Sequence, residues 1–180
     1  MEHLQHKAIW FPSRVRIGGR RLGPVTLGQL RLLECVNSPF LYSGPIELAD
    51  IALALLILSR PWRFVRRLLP HPRFVFLLSP RLRASACTMI AATLDAYIAD
   101  ELWTPDMFQT EGSFGSSFPA ASGRATRLAR VVAGEGPAVS PFPRRSVWDF
   151  TCREASYACM LAAEARGTEF VTREEMTDVQ

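Results

Sequence analysis

Apolar positions along this chain fall into helical stripes separated by proline-bearing breaks. Leu27, Leu30 and Leu33 recur at three-residue spacing behind Thr26-Leu-Gly-Gln29, a Thr N-cap with Gln three residues later, and Cys35 extends the stripe. Asn37-Ser-Pro39 stops this helix, because the residue before proline is pushed out of the α region. Ser43-Gly-Pro45 starts the next one, with Glu47 and Asp50 at the positive end of its dipole. Ile51 to Leu58 is apolar all round, which predicts a central buried element closed by Ser59-Arg-Pro61. Trp62 to Leu69 reads as a short helix ended by Pro70-His-Pro72, and 73–78 as a short apolar helix or strand. A long helix is predicted from Arg81 to Leu102, with Leu82, Met89, Leu94, Tyr97 and Ile98 facing the core. A short helix over Arg124–Ala133 ends at Gly134-Glu-Gly136, and the last helix runs from Pro143 to Arg166 with Gly167 as its cap. Its stripe is Val147, Trp148, Phe150, Tyr157, Met160 and Leu161.

The remaining segments lack helical periodicity. Residues 1–25 read as an irregular N-terminal arm, in which Val15-Arg-Ile17 alternates like a strand and Gly18-Gly19 marks a turn. Residues 104–123, rich in Ser, Gly and Phe, read as a flexible loop, and 168–180 as a tail that opens in extended form. The expectation is an all-α single domain over 1–180, of five to six helices with short extended segments at the termini.

Composition narrows the class. Apolar residues make up 48% of the chain, too many for a disordered protein, and 180 residues bury a core without disulfides or metal. Four cysteines (35, 87, 152 and 159) form no CxxC pair and read as small buried thiols in a reducing compartment. The start Met1-Glu-His-Leu-Gln-His-Lys7 lacks the apolar stretch of a signal peptide, and the longest apolar run is shorter than the ~20 residues a bilayer needs. A cytoplasmic protein without membrane contact is the expectation. The net charge is +4, carried almost entirely by arginine, since Lys7 is the only lysine.

That charge is unevenly placed. Between Asp50 and Asp95 there is no acidic residue, yet seven arginines stand there. Three readings are open. The arginines are the solvated faces of two helices, their stems covering apolar surface. Alternatively, with Trp62, Phe64, Phe74 and Phe76 interleaved, they bind nucleic-acid phosphate. Or they belong to a protein–protein interface, where Arg, Trp and Phe are enriched. On the third reading the partner contacts are Trp62, Arg63, Arg66, Arg67 and Arg73, joined by Phe114 and Phe118 of the loop. Catalytic signatures are missing: there is no P-loop, HExxH, GxSxG or EF-hand pattern. Asp149 and Glu154 sit about one turn apart on the predicted last helix and read as a solvated face; His71 reads as a loop histidine. No catalytic residue, cofactor or metal is expected.

Two pieces of the chain carry a family resemblance. Leu22-Gly-Pro-Val-Thr-Leu-Gly-Gln-Leu-Arg-Leu-Leu33, Asn37-Ser-Pro-Phe40 and Glu47-Leu-Ala-Asp-Ile-Ala-Leu-Ala-Leu-Leu-Ile-Leu-Ser-Arg-Pro-Trp62 form the first. Ser146-Val-Trp-Asp-Phe150 through Gly167-Thr-Glu-Phe-Val-Thr-Arg-Glu-Glu175 form the second. Together they resemble small α-helical bacteriophage tail proteins, the tail assembly chaperones and tail-completion factors. The resemblance implies a non-enzymatic tail assembly factor in the host cytoplasm that binds helical tail proteins such as the tape measure protein. Alternatives are a structural tail or connector component of the virion, and a nucleic-acid-binding helical module. A homo-oligomer is an option under each.

Overall fold

The computed structural model describes residues 14–42, 44–70, 84–102, 107–109, 123–139, 146–164 and 170–172. Among them the chain is all-α, with six helices and two short antiparallel pairs of strands. Strands β1 (Val15–Ile17) and β2 (Arg20–Leu22) precede α1 (Leu27–Cys35), α2 (Leu48–Ser59), α3 (Trp62–Leu68) and α4 (Ala84–Leu102). Strand β3 (Met107–Gln109), α5 (Arg124–Val139), a 3-10 turn (Val147–Asp149), α6 (Cys152–Glu164) and β4 (Phe170–Thr172) come next. No described helix is long and apolar enough to cross a membrane.

The β1–β2 hairpin turns through Gly18 and Gly19, both at positive φ, the geometry a two-residue hairpin with matching strand twist requires. It tucks Ile17 and Leu22 into the core. Arg14–Val25 is therefore more ordered than an irregular arm. Helix α1 has both halves of its capping box: Gln29 N donates to Thr26 Oγ1 at 3.3 Å, and Thr26 N donates to Gln29 Oε1 at 2.9 Å. Its end is a Schellman motif: Ser38 N donates to Leu33 O and Asn37 N to Glu34 O, each at 3.0 Å, with Asn37 at φ 50°. A left-handed asparagine stops α1, in addition to the proline two residues on. Leu27, Leu30 and Leu33 are buried as expected, with Leu32 beside them, but Cys35 is exposed.

Helix α2 is the central element. Ile51, Ala52 and Ala54 through Leu58 are all buried, and the helix packs on α1, α3, α4 and β2. It begins at Leu48, later than Pro45 suggested, because Asp50 Oδ2 accepts from Glu47 N at 2.9 Å and fixes the first turn there. The α1–α2 junction is tied by one side chain. Gln29 Nε2 donates toward Ile57 O, Leu58 O and Arg60 O at 3.1, 3.2 and 3.0 Å. The same buried amide thus caps the start of α1 with its oxygen and the end of α2 with its nitrogen.

A second polar tie joins α4 and α6 to the connector between β2 and α1. Glu101, 1% exposed, accepts from Val25 N at 3.0 Å through Oε2, and its Oε1 lies 3.5 Å from Arg153 Nη2. Arg153 also meets Asp100 at 2.6 Å, and the Tyr97 hydroxyl donates to the Gly23 carbonyl. The other side of the connector bonds the start of α6: Leu27 N donates to Phe150 O and Cys152 N to Val25 O, both at 2.8 Å.

The last helix differs from expectation. Thr151 and Glu154 cap it reciprocally, Thr151 N to Glu154 Oε2 at 2.7 Å and Glu154 N to Thr151 Oγ1 at 3.1 Å, so α6 starts at Cys152. Val147–Asp149 is a separate 3-10 turn and not the first turn of one long helix. Of the α6 side chains described, Cys152, Ala155 and Ala158 are buried and Tyr157 is half-buried, while the side chains of Met160 and Leu161 from the expected stripe lie outside those described. Burial pushes the Cys152 thiol up to about 12 and the Cys159 thiol up to about 11, so both stay protonated near neutrality. Helix α5 continues through Gly134 and Gly136 to Val139. Glu34 caps its start, Oε1 accepting from Ala125 N at 2.9 Å, and Gly123 leaves room for that carboxylate. On α4, Leu94, Tyr97 and Ile98 are buried, whereas Met89 is 70% exposed. Strands β3 and β4 pair antiparallel, so part of the expected 104–123 loop is bonded to the expected tail. Leu82, 1–13, 73–78, 110–122 and 173–180 lie outside the described residues.

Both ties are open to test. Gln29→Ala removes contacts at two helix ends and is expected to cost about 2–3 kcal/mol in urea unfolding. Gln29→Glu turns a carboxylate toward three carbonyl oxygens, so it should cost more at neutral pH and recover in acid; equal stability of wild type and Gln29→Glu at neutral pH would contradict the double cap. For Glu101, burial raises the carboxyl above its ordinary range, against the lowering effect of the Val25 N–H and Arg153. Its stabilising contribution is then fully present below the ordinary carboxylate pKa and is lost as pH rises through the raised value. The stability of Glu101→Gln relative to wild type should therefore improve as pH climbs through that interval. A pH-independent difference between the two proteins would refute the burial argument.

Candidate protein-interaction site

Helix α3 presents all four of the described candidate residues, Trp62, Arg63, Arg66 and Arg67, and its placement comes from the residues before it. The double cap at Gln29 ends α2 at Ser59, and Pro61 sits at φ −56° as N-cap of α3. Its carbonyl accepts from Phe64 N at 3.0 Å and Val65 N at 3.2 Å. A seven-residue helix is unstable alone in water, so tertiary contacts must hold it. Val65 is the buried anchor, with Trp62, Leu68 and Leu69 half-buried around it.

Trp62 is the second anchor. Its indole lies on Gly28 of α1: a Cβ built there would come within 2.4 Å of Trp62 Cγ. The ring tilts 54° against Trp148 at a centroid distance of 6.5 Å. Trp62 Nε1 donates to Asp149 Oδ1 at 2.7 Å, and Arg63 Nη2 donates to Asp149 Oδ2 at 2.8 Å. The Arg63 guanidinium also sits 5.5 Å from the Trp62 ring centroid. The Asp149 carboxylate therefore bridges two consecutive side chains of α3, and the 3-10 turn delivers it there. Asp149 and Glu154 are not a paired carboxylate face: Asp149 serves α3, and Glu154 caps α6.

At ~100° per residue, Val65, Leu68 and Leu69 take one side of α3 and Trp62 its margin. Arg63, Arg66 and Arg67 fill the opposite arc, with Phe64 at its edge. Arg66 and Arg67 are exposed and make no ion pair among the described residues. Phe64 is 50% exposed. Arg63 stays 61% exposed in spite of its pair with Asp149, a geometry that contributes at most about 1 kcal/mol. No described carboxylate other than Asp149 pairs with this face.

The expected contacts therefore separate. Arg66 and Arg67 are presented outward, and Arg63 outward but tethered. Trp62 is committed internally, to Gly28, Trp148 and Asp149. Arg73, Phe114 and Phe118 lie outside the described residues. In the sequence Phe64 enters only as an aromatic for base stacking and Asp149 only as a solvated carboxylate, and Gly28 does not stand out. Gly28 is detectable in principle, since a glycine inside a leucine-rich helix is destabilising unless another group needs its space. Asp149 is not, because its partners stand far away in the chain.

Among the described residues no cluster of His, Cys, Asp or Glu is arranged to hold a metal ion. Comparison of the chain with protein-family models, curated proteins and solved structures returned no match.

The Gly28–Trp62 contact gives a direct test. Gly28→Ala must push the indole off α1, at a cost of about 1–3 kcal/mol, with a changed tryptophan emission spectrum. An unchanged spectrum and unfolding midpoint would mean that Trp62 does not rest on α1.

Proposed function

We propose that this protein is a non-enzymatic assembly factor that binds other proteins of a bacteriophage tail, with a helical client such as the tape measure protein. The observation that carries the reading is the outward face of α3: a half-exposed phenylalanine among arginines, fixed to a packed core by residues on the helix's other side. Aromatic and arginine side chains on a preorganised element are the usual composition of a binding hot spot. The tail assignment rests on the resemblance of Leu22–Leu33, Asn37–Phe40, Glu47–Trp62 and the Ser146–Glu175 region to tail assembly chaperones. On this reading the protein acts in the host cytoplasm before the tail closes around its client, and leaves before the particle is finished. Arginines at the rim set register and association rate, and the apolar contact at Phe64 sets residence time.

The test is co-purification with the long helical tail protein encoded by the same phage or prophage. The wild type is expected to bind it. Phe64→Ala combined with Arg66→Gln and Arg67→Gln should weaken binding about tenfold or more while leaving the circular dichroism spectrum unchanged. Binding that survives the triple change unaltered would remove α3 from the reading, and failure to bind any tail protein would end it. Mass spectrometry of purified particles should find the protein absent.

A further inference from the structure

The chemistry of α3 also specifies what its partner must offer, and this step rests on the binding reading just proposed. Arg63 is already answered by Asp149, at 2.8 Å, while Arg66 and Arg67 have no carboxylate paired with them among the described residues. From Ile51 to Leu94 the sequence supplies no acid, so none is available to answer them from α2 beyond its first turn or from the first turns of α4. Arg63 and Arg67 stand four residues apart, and Arg63 and Arg66 three apart, so the cations recur at one helical turn. Phe64 adds an apolar contact at one edge of the same arc.

We infer that the outward face of α3 takes an acidic amphipathic helix, one whose Asp or Glu side chains recur at i, i+3 or i, i+4 beside an aliphatic residue. Carboxylates one turn apart match guanidinium groups one turn apart and pair with them bidentately. The aliphatic side chain covers Phe64. A polynucleotide fits this face less well. Its bases need a series of aromatic platforms, and with Trp62 occupied by Gly28, Trp148 and Asp149 the described face offers Phe64 alone. The fixed negative charge of Asp149 at the edge of the patch also opposes a run of phosphates. Arg63, Arg66 and Arg67 stand on one seven-residue helix, about 10 Å long, a short track for a strand.

Selection from a display library of single helices with a randomised outer face tests the inference, using the full-length protein as bait. Binders are then measured against the wild type and the Arg66→Gln, Arg67→Gln variant, two exposed changes that leave the fold intact. The expected binders carry Asp or Glu at one-turn spacing next to Leu or Ile, and weaken about tenfold on the variant. Replacing their acids by Asn and Gln should weaken them equally. Enrichment of neutral or basic helices, or indifference to the arginine changes, would overturn the inference while leaving binding of a tail protein elsewhere on the surface intact. Tighter binding of oligo-thymidine than of any selected helix at physiological salt, lost in the variant, would overturn it in favour of nucleic acid.

Discussion

The side-chain amide of Gln29 is the constraint on which the rest of the arrangement depends. A helix start leaves backbone N–H groups without partners, and a helix end leaves carbonyls. In this chain the start of α1 and the end of α2 face each other, and one buried glutamine answers both. Such an amide has four hydrogen-bonding positions, and leaving them empty in a core costs more than filling them contributes. The arrangement therefore tolerates little relative movement of α1 and α2. It also fixes where the chain leaves α2, at Arg60 and Pro61, and hence where α3 begins.

The position of α3 then decides its contacts in turn. Because α3 starts where α2 is capped, Trp62 falls on α1 at a position without a side chain, Gly28. Because Trp62 lies there, its indole N–H points toward the 3-10 turn that carries Asp149. The Asp149 carboxylate then holds Arg63 as well, and Val65 seals the underside. The anchors of α3 lie toward the core, so Arg66, Arg67 and Phe64 face away from it. Exposed ion pairs of this kind add little stability, and the function of such a face is sought in binding. A short helix held rigid before its partner arrives has already lost the entropy that ordering would otherwise subtract from affinity.

Much of this fold can be read along the chain because it is locally encoded. The Thr26–Gln29 capping box, the apolar Ile51–Leu58 run and the Pro61 start of α3 each depend on residues within a few positions of one another. The errors fall where distant residues decide. The start of α6 is the exception: Thr151-Cys-Arg-Glu154 is a local capping-box pattern that periodicity alone passes over in running the helix back to Pro143, and only the pull of Phe150 onto Leu27 is long-range. Met89 sits on the α4 stripe by spacing but faces solvent, and Cys35 does the same on α1. The glycines at 134 and 136 do not break α5. For the site, the arginine run announces a cationic face, yet which arginines are tethered depends on Asp149, more than eighty residues away. Trp62 carries the composition of a contact residue and proves to be an anchor.

The central claim is that α3 is a preformed platform in the free protein, pinned from one side so that its cations face out. Amide hydrogen exchange of the unbound protein tests it most directly. The N–H groups of Phe64, Val65 and Leu69, bonded to Pro61 O and Val65 O, should be protected to a degree approaching that of α2, although a free peptide of this length would exchange almost unprotected. Exchange of these three amides at the rate of an unstructured chain, with α1 and α2 still protected, would contradict the account.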